Sequence, residues 1–191
     1  MITTSRQANY PIEPVFLHRH SPYEFNGETV EEEKLLTILE AARFAPSSYN
    51  NQPWHLAYAT RADKEWNRFF NFLLPGNQEW CGRAAVLCVI LSTEEVKRNQ
   101  ETQSQPTHSL DTGIFIQNLL LQAHLLEVAA HPMAGFKKET VRATFGLPTY
   151  WHPQCMVALG KFTKQAPEAS NRYALAKITS RGIPEQSALT K

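Results

Sequence analysis

A chain of 191 residues that is 42% hydrophobic and 19% charged is long enough for one domain with a sizeable core and is far from the composition of a disordered chain. Its Lys and Arg number 19 against 18 Asp and Glu, a formal net charge of +1 with no dense basic run, which argues against non-specific nucleic-acid binding and means that any anionic ligand is gripped locally. Residues 1–10 lack an apolar signal core and no apolar run approaches the ~20 residues that span a bilayer, so a soluble, cytoplasmic protein with no membrane partner is expected.

Along the chain, Thr29 and Glu32 form a capping-box pattern that opens a helix, and Pro46 ends it. The apolar positions Val30, Leu35, Leu36, Ile38, Leu39 and Ala42 recur at helical spacing within it. Residues 55–60 read as a short strand, and 63–74 as an amphipathic helix carrying Trp66, Phe69, Phe70, Leu73 and Leu74, broken by Pro75-Gly76. The β-branched run 84–91 reads as a strand buried on both faces. Polar residues 92–107 predict a surface excursion or lid. From 109 to 130 the chain is apolar on nearly every face, which predicts a helix buried all round, central to the fold or at a subunit interface. Residues 138–145 predict a helix capped by Gly146, and 154–160 a last buried strand. The tail from 164 to 191 has no core of its own and either frays or wraps a partner.

Several chemistries lack their signatures. There is no Gly-x-Gly-x-x-Gly stretch and no Walker-type loop, so the chain has no dinucleotide-binding domain of its own. The histidines show no His-Glu-x-x-His spacing and no cysteine pair has zinc-ligand spacing, so no metal site is expected. Cys81, Cys88 and Cys155 suit reduced thiols better than a disulfide framework. His152 and Cys155 offer a thiol and base pair, although a cysteine opening a buried strand is more often inert. His124 reads as a satisfied core histidine.

One stretch carries chemistry. Between a capped helix and a strand, residues 45–54 run Ala-Pro-Ser-Ser-Tyr-Asn-Asn-Gln-Pro-Trp, with the hydroxyls of Ser47 and Ser48 and the amides of Asn50 and Gln52 following Pro46. Such a set suits a polar heterocycle and a polyol chain that offer both donors and acceptors. The stretch closely resembles the signature of the nitroreductase family. Upstream, Arg19-His20-Ser21-Pro22-Tyr23-Glu24-Phe25 resembles the family's Arg-Arg-Ser-x-Arg-x-Phe segment, whose basic groups and hydroxyl grip the FMN phosphate; His20 and Tyr23 stand at two of its basic positions. Downstream, Pro132, Met133, Ala134 and Gly135 fall where the family sets backbone amides against the reactive edge of the flavin, and Gly135 permits a close approach. Arg181, in Thr-Ser-Arg-Gly-Ile-Pro, resembles the C-terminal arginine that completes the phosphate site. Asn77 falls where family members have an Asn followed three residues later by a lysine beside the pyrimidine ring. Here that later position is Trp80, and Arg83 is a candidate replacement.

The resemblance implies an α+β fold with a central, mainly antiparallel sheet flanked by helices. It implies a single domain over 1–191, with an N-terminal extension over 1–15 and a C-terminal arm over 164–191 exchanged within an intertwined homodimer. It further implies FMN as cofactor, NAD(P)H as donor and an electron-poor acceptor such as a nitroaromatic or quinone, used in ping-pong order. No single catalytic side chain is expected, because the cofactor performs the redox chemistry. A flavin enzyme of the same fold reducing enones or aldehydes, and a non-catalytic FMN-binding protein, are the alternatives.

Overall fold

The β-branched run at the middle of the chain sets the architecture. In a computed structural model, which describes residues 6–162, 170–184 and 186–189, this run becomes β2, every residue of which is buried. In chain order the elements are α1 (Pro14–His18), α2 (Glu32–Arg43), β1 (Trp54–Thr60), α3 (Trp66–Phe72), α4 (Pro75–Cys81), β2 (Val86–Thr93), β3 (Glu95–Arg98), β4 (Glu101–Ser104), α5 (His108–Leu125), β5 (Ala129–Met133), α6 (Lys138–Phe145), β6 (Trp151–Gly160), α7 (Leu175–Ile178) and α8 (Gln186–Leu189). Four strands form one antiparallel sheet in the order β1-β2-β6-β5.

Because side chains alternate across a strand, β2 feeds both faces. Leu87, Val89 and Leu91 pack with Met156 and Ala158 under α3, α4 and α6. Val86, Cys88 and Ile90 pack with Val157 and Leu159 under α2 and α5. The result is a three-layer arrangement, helices on sheet on helices, consistent with the expected α+β class. Between Ile90 and Leu91 the register with β6 shifts. That bulge sits beside Pro153, which lacks the N–H a regular ladder needs.

Several elements depart from expectation. The capping box does not form: α2 starts at Glu32 with Glu31 as its N-cap and no side-chain capping bond, while the Glu31 carboxylate accepts from Lys161 Nζ at 3.0 Å. Pro75 does not merely break a helix. It takes the first-turn position of α4, where its missing N–H costs nothing. The polar segment after β2 is a hairpin of β3 and β4, turned by Asn99 (φ 50°) and Gln100 (φ 68°) in the left-handed region, a turn that Asn-Gly would have announced. The long helix stops at Leu125 rather than continuing to 130. Glu127 takes φ 58°, the conformation usually left to glycine, and the chain re-enters the sheet as β5. Nor is α5 buried all round, since Leu110 and Leu125 are exposed at 67% and 62%. By contrast α6 runs over the expected residues and ends on Gly146 in the left-handed conformation (φ 59°), and no helix is long and apolar enough to cross a membrane among the described residues.

Gly160, at the end of β6, shows how tightly the sheet meets the N-terminal segment. A Cβ there would lie 2.8 Å from Phe25 Cδ1 and 3.2 Å from the Ala85 amide nitrogen, and Phe25 is 1% exposed and stacked on Trp80. Gly160→Ala is therefore expected to destabilise the fold by about 1–3 kcal/mol, the usual cost of overpacking. A lowered urea midpoint with an unchanged slope would register it, and a midpoint equal to that of the parent chain would contradict it.

Candidate functional site

The predicted site residues fall into two groups at opposite ends of α5. The first is gathered around the N-terminal segment, β5 and α4. Leaving α1, the chain places Arg19 with a guanidinium nitrogen 3.4 Å from Ser21 Oγ. Arg6 donates to the carbonyls of Leu17 (3.1 Å) and Arg19 (2.7 Å). Burial and the like charges of Arg6 and Arg172 depress the pKa of Arg19. Arginines drawn together in this way form a positive pole suited to a multiply charged anion. Beside it, His20 Nδ1 lies 3.0 Å from the His18 carbonyl, and His20 Nε2 is buried with no hydrogen-bond partner among the described residues. Beside this pole opens the cavity of about 940 Å³ lined by His18, Arg19, His20, Lys34, His124 and Phe162 among others. His124 therefore faces a cavity and is not a satisfied core histidine.

From Arg19 the strip continues to β5. Pro22 accepts at 2.8 Å from His131 Nδ1, and His131 stands immediately before Pro132, Met133, Ala134 and Gly135. Asn77 of α4 donates to the Gly135 carbonyl at 2.7 Å. A Cβ on Gly135 would come within 3.1 Å of that same amide nitrogen, so the close approach depends on glycine. One turn after Asn77, the Trp80 indole packs against the rings of His131 (4.4 Å), Tyr23 (5.2 Å) and Phe25 (6.1 Å). Arg83, the candidate replacement for the cation, is held at the N-terminal segment. Its guanidinium bonds the Asn26 carbonyl and covers Gly27.

The second group is the motif loop, Pro46 to Gln52 in sequence. Tyr49, Asn50 and Gln52 all have φ near +50°, a strained conformation for side chains other than glycine, tolerated best by Asn. Local bonds hold it: Ser47 Oγ accepts from the Gln52 amide at 2.9 Å, and Gln52 Nε2 donates to the Asn50 carbonyl at 3.1 Å. Buried Asp111 and Gln105 support it from below. Asp111 accepts from the Ser48 amide (3.3 Å), Gln105 Nε2 (2.8 Å) and Thr107 Oγ1 (3.0 Å), while Gln105 Oε1 receives Asn51 Nδ2. Arg98 of the hairpin bonds Asn51 Oδ1 at 3.0 Å and covers the Tyr49 ring at 4.1 Å. The loop is thus a rigid, polar, outward-facing platform.

Asp111 lies in the first turn of α5 and His124 in its last. At 1.5 Å per residue the two stand about 20 Å apart along the helix, so the platform and the arginine pole lie at opposite ends of α5. Arg181 is exposed, and the C-terminal arginine whose charge reaches Arg19 is Arg172. Sequence reasoning missed Arg6 and Arg172, which lie in segments without a motif. It also missed Asp111, although a single acid in an otherwise apolar helix was a usable signal. The thiol and base pair does not form. Burial pushes Cys155 up to about 11 and its Sγ bonds the Met156 carbonyl, whereas the His152 ring lies beside Glu94.

A family model described as the nitroreductase family matches residues 17–161. The chain belongs to the nitroreductase family. Among curated relatives it is 29% identical over 141 residues to the oxygen-insensitive NADPH nitroreductase of Helicobacter pylori, covering 74% of this chain and 59% of that protein. The match thus spans less than two thirds of the relative's length. Among solved structures, one described as an oxidoreductase containing FMN superposes with a TM-score of 0.89 at 35% identity, covering 96% of this chain and 98% of that one. A nitroreductase family protein from Clostridium difficile superposes with a TM-score of 0.73 at 23% identity, covering 89% and 97%.

The histidines of this nitroreductase-family chain make its stability depend on pH. Burial lowers the pKa of His131 and of His124 below the ordinary imidazole value, and Arg19 acts in the same direction on both. The unfolded chain, with imidazoles near about 6.5, then binds protons that the folded chain refuses, so stability falls as pH drops through that value. Urea midpoints are expected to be lower at pH 5.5 than at pH 7.5, with the difference reduced in His131→Gln. A midpoint that rises on acidification would reverse the assignment.

Proposed function

We propose that this chain is an FMN-dependent oxidoreductase that works as a homodimer, taking reducing equivalents from NAD(P)H and passing them, in ping-pong order, to an electron-poor acceptor such as a nitroaromatic or quinone. The observation that carries the reading is the pairing of an arginine pole with a polar platform about a helix length apart, each an incomplete site by itself. Two antiparallel copies of α5 would bring the pole of one chain to the platform of the other. The exposed Leu110 and Leu125 and the exposed tail residues Tyr173, Leu175, Ile178 and Ile183 offer apolar surface for that association.

The residues fit the cofactor. Arg19, Arg6, Arg172 and Ser21 match a phosphate dianion. Pro132 to Gly135 presents a backbone edge that Asn77 holds through the Gly135 carbonyl, and the hydroxyls and amides of residues 46–52 suit a ribityl chain and the polar rim of the ring. FMN, when bound, supplies the hydride and electron chemistry. The protein's part is to hold the ring, to direct the Ala134 or Gly135 amide at its reactive edge, and to exclude water with the ring set of Trp80 and Tyr23. Trp80 also supports a second reading, a non-catalytic FMN-binding protein, because aromatic packing occupies the place of the family's cation.

Three measurements test these readings together. Purified protein is expected to be yellow, and Arg19→Ala to weaken FMN binding about ten- to a hundredfold, as loss of one charge-assisted contact implies. Sedimentation at low micromolar concentration is expected to give twice the 21.7 kDa chain mass. Anaerobic NADPH or NADH is expected to bleach the bound flavin. Unchanged FMN affinity in Arg19→Ala, or a flavin-loaded monomer, refutes the site; a flavin that neither nucleotide bleaches leaves the non-catalytic reading.

A further inference from the structure

Away from both groups, Glu94, His108 and His152 meet at one corner of the sheet. Each offers a ligand atom, and these atoms lie within 4.8 Å of one another. They come from different elements: Glu94 joins β2 to β3, His108 opens α5 and His152 lies in β6. His152 Nε2 is sealed from solvent, stands 3.2 Å from Glu94 Oε2, and makes no hydrogen bond of acceptable geometry. The His108 and His152 rings lie 5.2 Å apart. Placing two imidazoles against one carboxylate, with one ring nitrogen buried and unsatisfied, is costly unless something is shared among them.

The surroundings favour a cation. His108 Nδ1 is 2.7 Å from Ser92 Oγ, which itself accepts from Gln154 Nε2 at 2.8 Å. A metal-bound imidazole takes this arrangement: Nδ1 donates to an oxygen partner, and Nε2 presents its lone pair to the ion. The β6 bulge is what turns Gln154 towards Ser92, since Leu91 pairs with Pro153 and Ile90 with Cys155. The cations nearby are engaged elsewhere: Arg142 donates to the Trp151 and Pro148 carbonyls, and the Lys138 ammonium sits 5.8 Å from the Phe136 ring. A cavity of about 520 Å³ lined by His108, His152, Lys138 and Glu139 among others leaves room for water to complete the coordination.

We infer that Glu94, His108 and His152 form a site for a divalent transition-metal ion of the zinc class. Two imidazoles and a carboxylate are a donor set that zinc accepts with water in the remaining position. The Glu94 carbonyl receives the Gln105 amide at 2.6 Å, and Gln105 in turn holds Asn51 and Asp111. Bound metal would therefore pin the base of the β3-β4 hairpin to α5 and β6, directly behind the platform formed by residues 46–52. This site stands independently of the flavin reading.

The test uses the purified full chain, stripped with a chelator and then dialysed against low-micromolar zinc. One equivalent per chain is expected to remain, and cobalt in its place is expected to give the visible absorption of a low-coordinate site. Glu94→Gln, at an exposed position, and His152→Gln are each expected to weaken zinc binding by at least about tenfold with unchanged far-ultraviolet circular dichroism. Ser92→Ala, which removes the oxygen partner of His108, is expected to cost about 10- to 100-fold. Should His152→Gln fail to fold, Glu94→Gln decides alone. A wild-type chain that retains no zinc overturns the site, as does a Glu94→Gln variant that binds with parental affinity.

Discussion

Burial of β2 on both of its faces is the constraint from which the rest follows. A strand with apolar side chains pointing up and down must be roofed twice, so α2 and α5 close one side and α3, α4 and α6 the other. Helix α5 then crosses the sheet as a long bar whose ends emerge at different edges. The arginine pole lies at one end and the left-handed loop at the other, and the sheet holds both at a fixed spacing.

The polar machinery is built on that frame at local expense. Left-handed conformations at Tyr49, Asn50 and Gln52 each cost on the order of 1 kcal/mol or more, and the buried Asp111 carboxylate would be costly without its donors. The same hydrogen bonds offset both costs. The Ser48 amide, Gln105 and Thr107 satisfy Asp111, and the same contacts hold the loop in its strained form. At the opposite end, the charges of Arg6 and Arg172 that act on Arg19 share its sign.

What could be read from the sequence depended on whether the signal was local. Gly146 ended α6 where a C-capping glycine should, and the apolar run of β2 announced a doubly buried strand. Asn99-Gln100 turned a hairpin without the glycine that would have marked it, and Glu127 stopped α5 by adopting a conformation that its chemistry does not advertise. The segment from 125 to 130 is apolar enough for a helix or a strand, and only the sheet decides between them. The motif loop was legible because its residues are consecutive. Its supports were not, since Gln105, Asp111 and Arg98 lie more than forty positions away in sequence. The Glu94, His108 and His152 cluster was invisible for the same reason, as three elements contribute one residue each and no spacing rule joins them.

The cysteines carry a practical consequence. Cys81 and Cys88 are buried with thiols pushed up to about 12, and Cys155 to about 11, so at neutral pH none of them holds an appreciable thiolate fraction. Maleimide or iodoacetamide reagents should pass over the native chain. A cysteine introduced on the exposed face of α2, at Leu36 for instance, would then be the preferred target, and a dye attached there would report on the folded protein without the usual need to remove the natural thiols first.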